Sequence, residues 1–227
     1  DMSAHHPDPE ARKAYKTRLE LLIPVTKAWC SELGIEIASI GVQVFGGMGF
    51  VEETGAAQHL RDARIATIYE GTTGIQAADL AGRKLVMDKG AAMASVIADM
   101  RAVEEQLAGA SSDDLAAIRS SLGEGIKALS IGTEAMLAAM AQNPSAAIAN
   151  SVNYLMLVGY VCGGWQMARA ALVANQKLAA GEDTDFYQTK LITARFYADQ
   201  ILPKATALAQ TVKAGGESTL ALTEEQF

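Results

Sequence analysis

The chain has 227 residues, half of them hydrophobic, enough for a substantial core; it is rich in Ala, Leu, Met, Gln, Glu and Lys and poor in β-branched and aromatic residues. An all-α protein is expected. A formal charge of −7 without a block of like charge excludes the clustered basic face that nucleic acid requires and serves mainly solubility. The two cysteines, Cys30 and Cys162, form no CxxC and belong to no disulfide framework, so buried, reduced thiols in a cytoplasmic setting are expected. Residues 1–10 are polar and do not read as a signal peptide, and the lack of Met at position 1 suggests a fragment or processed piece.

Residues 1–9 carry prolines and His5-His6 without periodicity and read as a tail or linker. Two adjacent histidines on one mobile segment make a poor metal site, and no metal is expected. Helical spacing starts at Glu10 and runs through Tyr15, Leu19 and Leu22 to Pro24, which either kinks the helix or opens the next. Val25, Trp29, Leu33, Ile37, Ile40 and Val44 then define a long amphipathic helix with a broad apolar stripe. Gly46-Gly47-Met48-Gly49 should stop it. Spacing favours a C-cap for that cluster, and close backbone approach to a ligand is the functional reading. Without a preceding strand or a GxGxxG order it is no nucleotide loop. Residues 51–66 read as a polar connector with surface ion pairs among Glu52, Glu53, Arg61, Asp62 and Arg64, and His59 as structural.

Residues 67–85 are the most informative. Glu70 stands between Tyr69 and Gly71, and Thr72 and Thr73 follow at a helix start that continues through Ile75, Ala78, Gly82, Leu85 and Val86. Such a loop can aim a carboxylate into a cleft, a setting for a general base; the simpler reading is a glutamate complementing a helix dipole. Asp88-Lys89-Gly90 reads as a joint between subdomains.

Met93, Val96, Ile97, Met100, Val103 and Leu107 predict another helix, and Ser111 with Asp114 a capping box for a long helix through Leu115, Ile126 and Met140. Asn143-Pro144 should cap and open the next. No charge occurs between Glu134 and Arg169, but the polar residues and alanines there argue for a buried bundle helix and against a membrane span. Gly159, Gly163 and Gly164 allow close helix approach, within the chain or between subunits. Phe186, Tyr187, Leu191, Ile192, Phe196 and Ile201 predict a last helix up to Pro203, and Gly215-Gly216-Glu217-Ser218 a frayed tail. The expected organisation is therefore tail 1–9, helical domain 10–89, helical extension 90–213 and tail 214–227.

Three ordered motifs carry a resemblance: Gln43-Val44-Phe45-Gly46-Gly47-Met48-Gly49-Phe50, Arg61-Asp62-Ala63-Arg64, and Ile68-Tyr69-Glu70-Gly71-Thr72-Thr73-Gly74-Ile75-Gln76. Residues 15–85 resemble the C-terminal helical domain of the acyl-CoA dehydrogenases, and the part after Gly90, especially from Tyr187 to Pro203, resembles the extra helical domain of the family's long bacterial branch. The resemblance implies an FAD enzyme that oxidises an acyl-CoA thioester to trans-2-enoyl-CoA, in fatty acid metabolism, as a homo-oligomer with electron-transfer flavoprotein as acceptor. Glu70 matches the base that removes the α-proton while hydride leaves the β-carbon for the flavin, a task that calls for a raised pKa in a dry pocket. The Glu70 N–H and a flavin ribityl hydroxyl would polarise the thioester carbonyl. Tyr69 and Gly71 would line the substrate side, Thr72, Thr73 and Gly74 would meet FAD, and Gln43, Val44, Phe45, Gly46 and Gly47 would contact the adenosine part of an FAD held mainly by another subunit.

Position 45 is Phe where long-branch members often carry His. The family's N-terminal helical and middle β domains have no counterpart in this sequence, so the isolated chain is expected neither to hold FAD tightly nor to turn over. The competing class is a non-catalytic helical scaffold or oligomerisation module, and a third is a membrane-associated extension, disfavoured by the interrupted apolar run.

Overall fold

A computed structural model of the protein describes residues 1–109 and 112–226. Helices account for 85% of the structure and no strand occurs among the described residues, in agreement with the all-α expectation.

The first residues are more ordered than a tail: α1 (Met2–His5) is a single turn, the His6 carbonyl accepts from Arg12 at 2.5 Å, and the His6 ring lies 5.7 Å from that of Tyr15. Asp8 caps α2 (Pro9–Val44) by accepting from the Glu10 N–H at 3.0 Å, with Pro9 in the first turn where its missing donor costs nothing. Pro24 neither ends α2 nor starts a new helix; it sits buried with Leu21, Val25 and Ala28 on the one stretch of α2 that faces the core. Burial compensates for the lost backbone bond there. Beyond Ala28 the apolar stripe has little of this chain to cover it, and Ile37, Ile40 and Val44 stand exposed.

Gly46, at φ +60°, ends α2, and one helical turn, α3 (Gly47–Phe50), follows. Gly49 is buried where a Cβ would strike the Val42 carbonyl, so this glycine serves close approach of backbone to backbone. The expected connector is largely helical: a tight turn at Glu52–Thr54 leads to α4 (Ala56–Ile65). Its Ala-Ala-Gln-His-Leu-Arg sequence has ample helix propensity, which its charges obscure in a reading for periodicity.

The Glu70 turn leads into α5 (Thr73–Asp79), a π-helical stretch (Leu80–Lys84) and α6 (Leu85–Met87). At the expected joint, the Asp88 carboxylate accepts from the Gly90 and Ala92 N–H groups at 3.1 and 2.8 Å, and Lys89 and Gly90 take positive φ. Then come α7 (Ala91–Leu107), α8 (Asp113–Gln142), α9 (Pro144–Ala149), α10 (Ser151–Ala179), α11 (Thr184–Phe196), a second π-helical stretch (Tyr197–Ile201) and α12 (Lys204–Ala214). Ser111 lies outside the described residues, and the Asp114 of its expected capping box pairs with Arg195 at 2.9 Å. Asn143 caps α9 as its sequence predicts, accepting from the Ala146 N–H at 3.3 Å.

The uncharged segment forms α10, which packs against α2, α8, α11 and α12 and buries Tyr154, Leu155, Leu157, Val158, Val161 and Trp165. No helix of the described residues is long and apolar enough to cross a membrane. The α10 glycines serve packing within the chain: Gly159 receives Trp29, Gly163 receives Tyr197 and Trp29, and Gly164 receives Leu202. One apolar cluster runs from Leu21, Val25, Leu80 and Leu85 through Met93, Met100, Ile126 and Leu129 to Leu157, Leu202 and Val212. The C-terminal segment is docked rather than frayed: Gly216 is buried against the Ala146 carbonyl, and Glu217–Leu220 form a turn.

Candidate active site

The Glu70 turn is built by the end of α4 and the start of α5. The Tyr69 N–H still reaches the Ile65 carbonyl at 3.2 Å, continuing α4, and Thr67, buried, bonds the Arg64 carbonyl at 3.1 Å. The chain then turns through two positive φ angles, +53° at Glu70 and +95° at Gly71. Thr72 restarts helical geometry by accepting from the Ile75 N–H at 3.4 Å. Gly71 suits its place, since a Cβ there would strike Gln76 and the φ is unfavourable for any other L-residue. Glu70 has no such licence. A non-glycine residue held in left-handed backbone costs about 1–2 kcal/mol and persists where surrounding contacts enforce it.

Those contacts are specific. Gln76 Nε2 donates to the Glu70 carbonyl at 3.3 Å, Lys27 Nζ donates to the Gly71 carbonyl at 2.6 Å, and Thr73 Oγ1 donates to Glu32 Oε1 at 2.5 Å. Lys27 Nζ also lies 5.7 Å from the Tyr69 ring centroid, a cation–π distance. Among the described residues the Glu70 N–H has no acceptor. Residue 70 therefore offers a carboxylate and a free backbone donor on one strained unit, the pair that proton abstraction next to a carbonyl needs.

Tyr69, Glu70, Thr72 and Gly74 are exposed, and Gly71 and Thr73 are half-buried. The dry pocket implied for the base is therefore not closed by this chain. Cavities of about 340, 380 and 710 Å³ lie elsewhere, between α2 and α7, between α2 and α10, and among α7, α10 and α11.

The other predicted group, Gln43, Val44, Phe45, Gly46 and Gly47, is exposed at the far end of α2. At 1.5 Å per residue, Gln43 lies roughly 24 Å along the helix from Lys27, so the two groups do not share a pocket. Nothing lies within 4 Å of a Cβ built on Gly46 or Gly47. In the middle motif Arg61 forms a two-pronged pair with Glu52 at 2.9 and 2.6 Å, whose hydrogen bonds and charge hold the exposed Glu52 carboxyl below its usual range.

Residues 91–223 match the family model described as "Acetyl-CoA dehydrogenase C-terminal like", and residues 4–85 that of "Acyl-CoA dehydrogenase, C-terminal domain". The chain belongs to the acyl-CoA dehydrogenase family. It is 42% identical to 3-methylmercaptopropionyl-CoA dehydrogenase of Ruegeria pomeroyi over 97% of this chain and 37% of that protein. It is 32% identical to the broad-specificity linear acyl-CoA dehydrogenase FadE5 of Mycobacterium tuberculosis over 96% of this chain and 37% of that protein. A shorter match, 46% identical over 27% of this chain and 15% of the relative, is to the human mitochondrial short-chain specific acyl-CoA dehydrogenase. The chain thus spans about 37% of the length of the long relatives it matches.

Lys27, Glu32 and Gln76 are the site residues that sequence reading missed. Gln76 falls inside the third motif without an evident task, while Lys27 and Glu32 are single charges on the polar side of a long helix, and only the fold brings them to the turn.

Proposed function

We propose that this chain is the C-terminal portion of an FAD-dependent acyl-CoA dehydrogenase, with Glu70 as the base that removes the α-proton of an acyl-CoA thioester. The observation that carries the reading is the Glu70 turn, a non-glycine residue at φ +53° whose own N–H is free. In this mechanism the Glu70 carboxylate takes the α-proton while the Glu70 N–H donates to the thioester oxygen, where negative charge gathers as the proton leaves. Tyr69 and Gly71 flank the acyl group. FAD, held in part by Thr72, Thr73 and Gly74, would supply the acceptor for the hydride of the β-carbon.

The residues assigned to FAD fit one wall of a cofactor site. Thr72 accepts from the Ile75 N–H and keeps its own hydrogen to donate, and Gly74 is exposed on the same turn. Gly46 and Gly47 present open backbone that a planar group can approach, and Gln43, Val44 and Phe45 stand exposed beside them, at the other end of α2. The exposed Ile37, Ile40, Val44, Phe45, Met48, Phe50, Ile65, Ile68 and Tyr69 support completion of the site by surfaces outside this chain. A cytoplasmic homo-oligomer passing electrons to an electron-transfer flavoprotein completes the reading.

The test is turnover of the full-length protein with an artificial electron acceptor. Glu70→Gln keeps the shape and removes the base, and a loss of about 10²–10⁴-fold is expected. Near-native turnover overturns the assignment.

A further inference from the structure

Beyond the base itself, we propose that Lys27 is the positioning residue of the Glu70 turn, tying it to α2 and holding Glu70 in its left-handed conformation. The inference rests on the reading of Glu70 as base for its catalytic consequence, but the mechanical claim stands on the turn alone. Both carbonyls at the strained corner are gripped by side chains: Glu70 by Gln76 at 3.3 Å and Gly71 by Lys27 at 2.6 Å. The two grips differ in kind. Gln76 belongs to α5 and moves with the turn, whereas Lys27 stands on the stretch of α2 whose neighbours Val25 and Ala28 are buried in the core. Its bond carries a full charge and spans 44 positions of sequence, so it fixes the turn to the body of the protein. The same ammonium lies against the Tyr69 ring, which places one cation beside the residues before and after Glu70. Glu32, about one and a half turns further along α2, holds Thr73 at 2.5 Å and gives the turn a second anchor.

Without Lys27, the Gly71 carbonyl loses its only side-chain partner among the described residues, and the Glu70–Gly71 unit is free to leave its unfavourable φ. The carboxylate and the N–H of residue 70 would then no longer keep one relative placement. That should lower kcat more than it weakens substrate binding, because misplacement by about 1 Å can cost on the order of 10²-fold in rate.

Two measurements separate the mechanical claim from the catalytic one. In the 227-residue chain, hydrogen exchange is followed at Ile68, Tyr69, Ile75 and Gln76, hydrogen-bonded amides on either side of the corner. Lys27→Met is expected to speed their exchange about 10-fold, the loss of one charge-assisted bond, while the thermal midpoint stays close to the parent's and Lys27→Arg keeps most of the protection. In the full-length enzyme, Lys27→Met should lower kcat by about 10- to 100-fold with KM changed only a few-fold, and Lys27→Arg should recover much of the loss. Unchanged exchange in Lys27→Met overturns the clamp, and faster exchange with undiminished kcat overturns its catalytic consequence. Should Lys27→Met fail to fold, Lys27→Gln, which keeps a donor but removes the charge, is read by the same two criteria. Failure of the base reading shows up separately, as turnover in Glu70→Gln with the exchange result intact.

Discussion

Gly159→Ala tests how the first helical region is seated on the second. The nearest atoms to a Cβ at position 159 are the Cγ, Cδ1 and Cβ of Trp29, so the methyl would meet the root of the indole rather than its flexible edge. Trp29 must therefore turn about its first side-chain bond or push α2 away from α10. Overpacking of this kind costs about 1–3 kcal/mol. The displaced ring would also lose its edge-to-face arrangement with Tyr160, at 5.8 Å and 84°, worth about 0.5–1.5 kcal/mol. Against this stands the helix propensity of alanine over glycine, about 1 kcal/mol. The balance is a destabilisation of about 1–3 kcal/mol, or a fall in Tm of a few degrees for a chain of this length. Gly34→Ala is the control, a helical glycine with nothing within 4 Å of a built Cβ, where only the propensity acts and stability should rise by up to about 1 kcal/mol. Urea denaturation of both variants decides. Equal stabilisation by the two would show that Trp29 is not lodged on Gly159 and would refute the packing argument.

Glu70→Gly, measured in the same denaturation assay, should stabilise the chain by about 0.5–1 kcal/mol, because glycine accepts φ +53° without the penalty that glutamate carries. A destabilised variant would mean that the turn is not strained. Burial pushes the Cys162 thiol from its ordinary 9.0 up to about 12, so at pH 9 to 12 the unfolded chain gives up a proton that the folded chain keeps. Stability is therefore unaffected by this group below pH 9 and should fall above it by up to about 1.4 kcal/mol per pH unit. Tyr154 and Tyr197, whose phenols are also raised by burial, should add to the fall above pH 10. Cys162→Ala should flatten much of the slope between about pH 9 and 10 in denaturation curves, and an unchanged slope would contradict the burial argument.

Helix type was legible from composition and spacing because both report local preference, and α7 to α11 lie close to their predicted places. What the sequence hid was set by tertiary contact. The π-helical stretches at Leu80–Lys84 and Tyr197–Ile201 have no local signature; at the first, Gly82 packs on Ile148 from a distant helix. Pro24 read as either a kink or the start of a new helix because proline disfavours a helix interior, and α2 runs through it with Pro24 buried beside Leu21 and Val25. Cys30 was expected to be buried and is exposed, since its turn of α2 borders an open groove facing Cys162 and Met167. At the candidate site, Glu70 and its flanking residues came from one contiguous motif. Lys27 and Glu32 stand 44 and 41 positions before the residues they hold, a separation that no local pattern can bridge.

The two parts of the chain differ in how they treat their large apolar residues, and this difference bears on the site. From α7 onward most of them enter the common core, among them Met100, Leu122, Leu129, Leu157 and Leu202. Along the distal half of α2, through α3 and α4 to the Glu70 turn, they face outward, up to 79% at Val44 and 84% at Phe50. Burying such side chains is worth about 1.5–3 kcal/mol each, so a surface of this kind is under strong pressure to be covered. The Glu70 turn sits at the edge of that surface, its strain maintained from behind by Lys27 and Glu32 on the helix rooted in the core. Strained backbone persists where rigid contacts over-determine it, and a base gains its environment when its open side is closed. The division follows from these two requirements: the core of this chain holds the position of residue 70, and whatever covers the apolar face supplies the dryness.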